Sequence, residues 1–378
     1  MDQFQAGSYI QQGYYKSFQP VFINRSWEIT DMQVLQLLSR ADRQLGRLDM
    51  YSEYVNIELF IRMHIAKEAT QSSKIEGTQT NIEEAFLPKE EIGNEKRDDW
   101  EEVQNYIAAM NEAVGLLHSL PFSSRLIRQA HKVLLKGVRG THKQPGEYRR
   151  SQNWIGGATI NDAVFVPPVQ HSIDALMGDL EKFANDELNP LPDLLKIALI
   201  HYQFETIHPF LDGNGRVGRL LITLYLVSKG ILKQPILYLS DFFERNRMLY
   251  YDNLMRVRMH NDINQWLKFF LTGIIETAKS GVATFDGILQ LQKAIDQKLK
   301  DVGVRSGDAY KVVNYMYSQP ILNAQTMGAV INKQPRTAYK MIELLVDLKI
   351  IKEITGGQRG KLYAFEGYLQ LFESNKDD

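Results

Sequence analysis

Between Asp193 and Gly230 two helical patterns meet across a turn that cannot itself be helical. Leu194, Ile197, Ala198 and Ile200 mark the apolar stripe of the first, which Asp193 is placed to cap. Val217, Leu220, Leu221 and Leu224 give the second an i, i+3, i+4, i+7 spacing. Pro209 disfavours the helical conformation in His208, so the first helix is expected to stop near Ile207. Gly213 and Gly215 let the backbone bend and approach a ligand closely. The second helix is expected to begin near Gly215 and end at Gly230. Successive N–H groups in such a turn form an anion nest, and the following helix N-terminus adds unpaired donors and partial positive charge. Arg216 and Arg219, three residues apart, are neighbours on the helix surface. The segment reads as a seat for a di- or triphosphate.

Two residues add chemistry to that seat. His208, just before the nest, can act as a general base near neutral pH. Asp212 is a hard oxygen ligand suited to Mg²⁺, which combines one or two carboxylates with phosphates and water. Each residue alone has an ordinary structural reading: a hydrogen-bonding histidine, a plain turn, a solvated arginine face. Their conjunction within the twelve residues from 208 to 219 points to transfer at phosphorus.

The rest of the 378-residue chain reads as mainly helical, in two or three domains. The first ~30 residues show no period and read as an irregular arm. Helices are expected from Met32 to Ile75, where Glu76-Gly77 closes the last. Thr80 and Glu83 read as a capping box for a short helix stopped by Pro88. A charged, exposed connection follows to Glu102, overlapping helices expected from Trp100 to about Leu117 and from Arg125 to Lys136. From Asn153 to Pro168, strand formers such as Trp154, Ile155, Val164 and Phe165 flank turn formers, so an isolated β-hairpin is expected, leaning on a neighbour or ligand. Further helices run to about Val302. Beyond Asp308, three helices (Ala309–Ser318, Gln325–Asn332, Pro335–Leu348) and strands at Ile350–Thr355 and Lys361–Phe365 suggest a winged helix-turn-helix.

Composition excludes several classes. With no cysteine, disulfides, thiolate metal sites and thiol nucleophiles are ruled out. A formal net charge of -1 demands neither nucleic acid nor an acidic membrane. No signal peptide and no apolar run of the ~20 residues needed to span a bilayer is visible. A soluble cytoplasmic protein without membrane contact is the expectation.

The segment His208-Pro209-Phe210-Leu211-Asp212-Gly213-Asn214-Gly215-Arg216-Val217-Gly218-Arg219 resembles the Fic family signature, His-Pro-Phe-x-Asp/Glu-Gly-Asn-Gly-Arg-x-x-Arg, at every defined position. The resemblance extends over roughly residues 35–270 and implies a helical Fic core with a β-hairpin flap. It implies a protein adenylyltransferase using ATP and Mg²⁺. In that reading His208 deprotonates a Ser, Thr or Tyr hydroxyl of a target protein, possibly of the chain itself, and Asp212 holds the metal. Gly213, Asn214, Gly215 and Arg216 hold the α- and β-phosphates, with Val217 and Gly218 beside them, and Arg219 takes the γ-phosphate. The flap, Ile155, Gly156, Gly157, Ala158, Val164 and Phe165, aligns the target as an added strand. Tyr250-Tyr251 resembles the paired aromatics near the base in some relatives; the residues alone equally allow a core position.

Ser72-Ser73-Lys74-Ile75-Glu76-Gly77 resembles the family's inhibitory pattern, Ser/Thr-x-x-x-Glu-Gly/Asn. A carboxylate in the last turn of a helix faces the negative end of the dipole, at a cost of up to ~1 kcal/mol, which a cation would relieve. The resemblance supplies Arg219, so that Glu76, with Ser72, would block the γ-phosphate. Removal of AMP by the same site, or transfer of another group, is an alternative.

The expected division is an N-terminal helical region with the inhibitory motif (1–100), a catalytic core with flanking helices (101–302) and a winged-helix domain (303–378). The last would offer Arg336, Thr337, Lys340, Lys349 and a wing tip at Arg359 to a partner. From Asp308 to Glu366 eight basic and five acidic residues leave +3, modest for DNA, so protein contact is at least as good an expectation. A nucleotide-sensing regulator is the alternative from another class, and a homodimer is possible.

Overall fold

The computed structural model describes residues 4–54, 56–137, 141–300, 303, 306–356 and 360–373. It opens with an antiparallel hairpin, β1 (Gly7–Gln12) and β2 (Tyr15–Pro20), where the sequence suggested an irregular arm. Its strands pair locally, but which of its positions are buried is set by segments far along the chain. Phe18 donates its backbone N–H to Val166 and sets its ring 5.9 Å from that of Phe165.

The expected helical stretch then forms. α1 (Met32–Asp49) is capped by Asp31, which accepts from the backbone of Gln33 and Val34, and it buries Val34, Leu38, Ala41, Leu45 and Leu48. After the single turn α2 (Tyr51–Tyr54), α3 (Ile61–Ile75) ends where expected, with Glu76 as its cap and Gly77 at a φ of 106°. The capping box lies one residue later than Thr80/Glu83. Asn81 and Glu84 exchange side-chain and backbone bonds of 2.8 and 2.9 Å, around a 3-10 turn rather than an α-helix. The charged connection is shorter than expected, because α4 (Arg97–Leu116) begins inside it with Asp98 and Asp99 in its first turn. α5 (Ser124–Leu134), capped by Ser123, and α6 (Ile173–Asn185) follow.

α7 (Asp193–Ile207) and α8 (Asn214–Ser228) form the centre of the molecule. Every residue of α7 from Leu194 to Ile207 is buried, so its apolar stripe is only the most apolar side of a helix enclosed all round. α8 is likewise buried from Arg216 to Leu226. α9 (Ser240–Arg245), α10 (Arg247–His260) and the 38-residue α11 (Ile263–Lys300) complete the core, with α1 lying along α11.

The C-terminal unit comprises α12 (Ser306–Ser318), β3 (Ile321–Asn323), α13 (Ala324–Ile331), α14 (Pro335–Asp347), β4 (Lys352–Glu353), β5 (Leu362–Ala364) and the short α15 (Glu366–Leu369). Its antiparallel sheet has the order β3-β5-β4; β3 carries no signal in the sequence beyond two apolar residues. Arg336, Thr337 and Lys340 are exposed on α14, and Lys349 follows the helix in a left-handed turn rather than lying on it. Arg359 lies outside the described residues. The unit packs against the start of α3 through Phe60, whose ring is 5.1 Å from that of Tyr317. Among the described residues no helix is long and apolar enough to cross a membrane.

Candidate active site at the α7–α8 turn

Pro209 has the expected effect: His208 leaves the helix in the left-handed region, φ 50°, and the chain reverses over Phe210. Gly213 turns back with φ 73° and opens α8. A side chain at Gly213 would also press on Leu134 and Leu135, with contacts of 3.4 and 3.3 Å from a Cβ. The Asn214 amide is spent on the turn itself. Its Oδ1 accepts from the N–H of Phe210 and its Nδ2 donates to the same residue's carbonyl, at 2.8 and 2.9 Å. Only the backbone of Asn214 is left for an anion. The N–H of Gly213 is bound by the Asp212 carboxylate at 2.6 Å.

Residues that the sequence did not single out hold this turn rigid. Arg149, 2% exposed, donates to the carbonyls of His208, Ser151, Pro168 and Ile207, and its N–H binds the Pro209 carbonyl. Asn153 donates to the Phe210 carbonyl at 3.0 Å. His131 stacks on Phe210 with centroids 3.7 Å apart, accepts from the Gly146 N–H at Nδ1 and donates from Nε2 to the Asp212 carbonyl. That bonding needs the neutral ring, and burial lowers its pKa to about 4. Nothing in a single sequence marks these residues, because each acts on backbone far away in the chain.

The His208 imidazole sits at the inner end of the turn. Burial, followed by the charges of Arg149 and Arg258, pushes its pKa down to about 3, against an opposing pull from Glu76. It is therefore uncharged at neutral pH, and its buried Nδ1 has no hydrogen-bond partner. Asp212, its side chain 45% exposed, stands at the mouth of the turn.

Both arginines of the motif are engaged by carboxylates from earlier helices. Arg216 binds Glu102 of α4 at 2.9 Å, with Asp212 at 3.7 Å. Arg219, its side chain 1% exposed, donates to the Ser72 hydroxyl (2.8 Å), the Ser72 carbonyl (2.9 Å) and the Glu76 carboxylate (2.6 Å). Burial would raise the Glu76 pKa, but the charge and hydrogen bond of Arg219, with the charge of Arg216, hold it below the usual carboxylate range. The carboxylate lies over the first turn of α8: a Cβ at Gly215 would come within 2.4 Å of it. Gly218, beneath, leaves room for buried Glu205, whose pKa is pushed up to about 7 by burial.

The flap is less regular than a hairpin. Its strands reduce to one antiparallel bridge, Ile155 with Phe165, around a 3-10 turn at Ile160–Asp162. Gly156 and Gly157 have φ of 68° and 75°, and a Cβ on either would collide with Val164 or the Asp162 carbonyl. Phe165 is buried under Arg258, whose guanidinium lies 3.8 Å above its ring, whereas Trp154, Ala158 and Val164 are exposed. The tyrosine pair divides. Tyr250 turns inward, its hydroxyl 2.9 Å from His201, and Tyr251 lies at the surface, 38% exposed.

A Fic/DOC family N-terminal model matches residues 35–115, and a Fic/DOC family model matches residues 121–226, which include the turn, the flap and both arginines. The chain belongs to the Fic/DOC family. Curated relatives called protein adenylyltransferase Fic include that of Drosophila grimshawi, 29% identical over 169 residues, and that of Aedes aegypti, 31% identical over 170. Each match covers 42% of this chain, and the chain spans about a third of those relatives' length, 32% and 31%. A Fic family protein from Desulfovibrio desulfuricans G20 shares the fold over 90% of this chain and 98% of its own (TM-score 0.57, 18% identity). A Fic domain containing signaling protein from Bacteroides thetaiotaomicron does so over 66% of this chain and 95% of its own (TM-score 0.51, 20% identity).

Proposed function

We propose that this Fic domain transfers AMP from ATP to a hydroxyl side chain of a protein and that Glu76 restrains it. The observation that carries the reading is the clasp on Arg219. A guanidinium buried at the N-terminus of a helix, beside an anion nest, is held by a carboxylate lying where a phosphate would lie. With Glu76 displaced, Arg219 is free to take the γ-phosphate. Arg216 and the N–H groups of residues 214–216 then take the inner phosphates, with Gly213 shaping the turn and Val217 and Gly218 forming the wall behind. Tyr251 is the better placed of the tyrosine pair to meet the base, since Tyr250 is committed to His201.

The hydroxyl oxygen bonds to the α-phosphorus, the bond to the β-phosphate oxygen breaks, and diphosphate leaves. His208 takes the hydroxyl proton. An imidazole held near pKa 3 is a weak base. The negative triphosphate arriving beside it raises that pKa toward the working range. Asp212, a single half-exposed carboxylate, fits an ion such as Mg²⁺ that combines few protein ligands with phosphate oxygens and water. When bound, that ion would offset charge on the phosphates. The flap, pinned through Phe165 and exposed at Gly156, Gly157, Ala158 and Val164, supports main-chain capture of the target beside Ile155.

The C-terminal unit supports a winged-helix reading, three helices with a three-stranded antiparallel sheet, and we assign it to contact with a protein partner before DNA. Incubation of a Glu76→Gly variant with ATP, followed by intact-protein mass spectrometry, tests the central claim. A gain of one AMP on the chain or an added protein is expected, and modification no greater than in the wild type would remove the proposal.

A further inference from the structure

The face of α3 adjoining the Arg219 clasp lines a second polar cavity of about 40 Å³ between α3, α9, α11 and the C-terminal turn at Phe372. Three buried polar atoms on its wall have no partner among the described residues: Nε2 of His64, Oε1 of Gln71 and the hydroxyl of Tyr238. His64 and Tyr238 are 5% and 7% exposed. Buried polar atoms are ordinarily satisfied, and three on one small wall, drawn from two separate segments, mark a place built for something that hydrogen-bonds.

The charges indicate its sign. Lys67 and Arg245 bring two positive charges to the wall and Asp241 one negative, which Arg245 binds at 3.3 Å. Glu68 is satisfied by Tyr106 and Ser240, and burial pushes it toward its uncharged form. A small oxyanion would supply the missing charge and the missing partners together. Lys67 and the Tyr238 hydroxyl would donate to it, and its own O–H could reach Gln71. Exposed Arg245 and Ser280 stand at the rim and leave a way in.

We propose that this cavity is an effector site for a small oxyanion that keeps an O–H, namely hydrogen phosphate, and that its occupation tightens the brake. Gln71 directly precedes Ser72, and α3 ends at Glu76, so the helix that lines the cavity also carries both residues that hold Arg219. The lining atoms converge in the arrangement in which Glu76 holds Arg219. A ligand that binds this arrangement stabilises it over any in which α3 has moved, by mass action. Binding stands independently of the proposed chemistry, while the effect on the brake rests on AMP transfer being the reaction.

Titration calorimetry of the full chain with inorganic phosphate and with acetate, at constant ionic strength, tests the site. An Arg216→Ala background weakens anion binding at the glycine turn, and any heat left there is recognised by its indifference to Lys67→Met. Saturable binding of phosphate that Lys67→Met and Gln71→Leu each weaken at least tenfold is expected, with acetate, which has no O–H for Gln71, binding at least tenfold more weakly than phosphate. No saturable heat, or heat indifferent to both variants, would overturn the site. In wild-type protein, the binding anion should lower AMP transfer severalfold at saturating ATP, and Lys67→Met should abolish that sensitivity. Inhibition that ATP relieves, or that persists in Lys67→Met, would overturn the effector role. Binding without any AMP transfer, even in Glu76→Gly, would leave the site standing and count against the proposed reaction instead.

Discussion

The α7–α8 turn and the flap face the same site and are built in opposite ways. The turn holds two left-handed residues, His208 and Gly213, that would relax if left alone. Arg149, Asn153, His131 and the Asn214 side chain bind the carbonyls of His208, Pro209, Phe210 and Asp212 and the N–H of Phe210. The flap has one bridge; Asp162 ties its tip by accepting from Ala158 and Thr159, and at its C-terminal end Phe165 sits under Arg258 and Val166 pairs with Phe18. A site that must present donors to a transition state gains from rigidity. One that must accept strands of differing sequence gains from an unfilled edge. Rigidity here is achieved by distant side chains, and adaptability by leaving local pairing incomplete.

The contrast can be broken at several points. His208→Ala in a Glu76→Gly background should lower AMP transfer by about 10²- to 10⁴-fold, the usual contribution of a general base. Retained activity in a rate assay with labelled ATP would strip the turn of its chemical role. Arg149→Met should destabilise the protein by roughly 3 kcal/mol or more, since several buried carbonyls lose their donor at once. A urea midpoint close to wild type would show that the turn does not depend on this clamp.

Acid should sharpen the difference. His131 and His208 are held near pKa 4 and 3, below the ordinary value of about 6.5 expected when unfolded. Between those limits the unfolded chain binds more protons. Their contribution is complete above about pH 6.5 and is lost as the pH falls toward their folded values. The urea midpoint should therefore drop from pH 6.5 to 4, and His131→Gln should flatten that slope. Smallest of all, Val164→Ala, on a side chain 63% exposed, should change stability by less than about 0.5 kcal/mol. Any larger loss would mean that the flap is part of the core.

Legibility followed the range of the forces. The ends of α3 and α7, the break at Pro209 and the start of α14 at Pro335 depend on neighbours within a turn, and all were readable. Strand β3 pairs with β5 about forty residues on, and the β1–β2 hairpin and the flap, though paired locally, are fixed by packing against each other and against α10, so they were missed or overstated. The shift of the capping box from Thr80 to Asn81 shows that even a local rule can slip by one residue when two candidates adjoin.

For the site, the sequence alone determined which residues form the turn and where the chain must bend, because proline and glycine act through their own backbone sterics. The family likeness lay in those same twelve residues. Only the tertiary structure decided that Asn214 is consumed within the turn, that Tyr250 faces inward, and that Glu102 and Glu76 each claim an arginine. It also decided the protonation of His208, since burial and the charge of Arg149 come from residues that meet it only in the fold. A side chain's type is written in the sequence; its electrostatic surroundings are set by what packs around it.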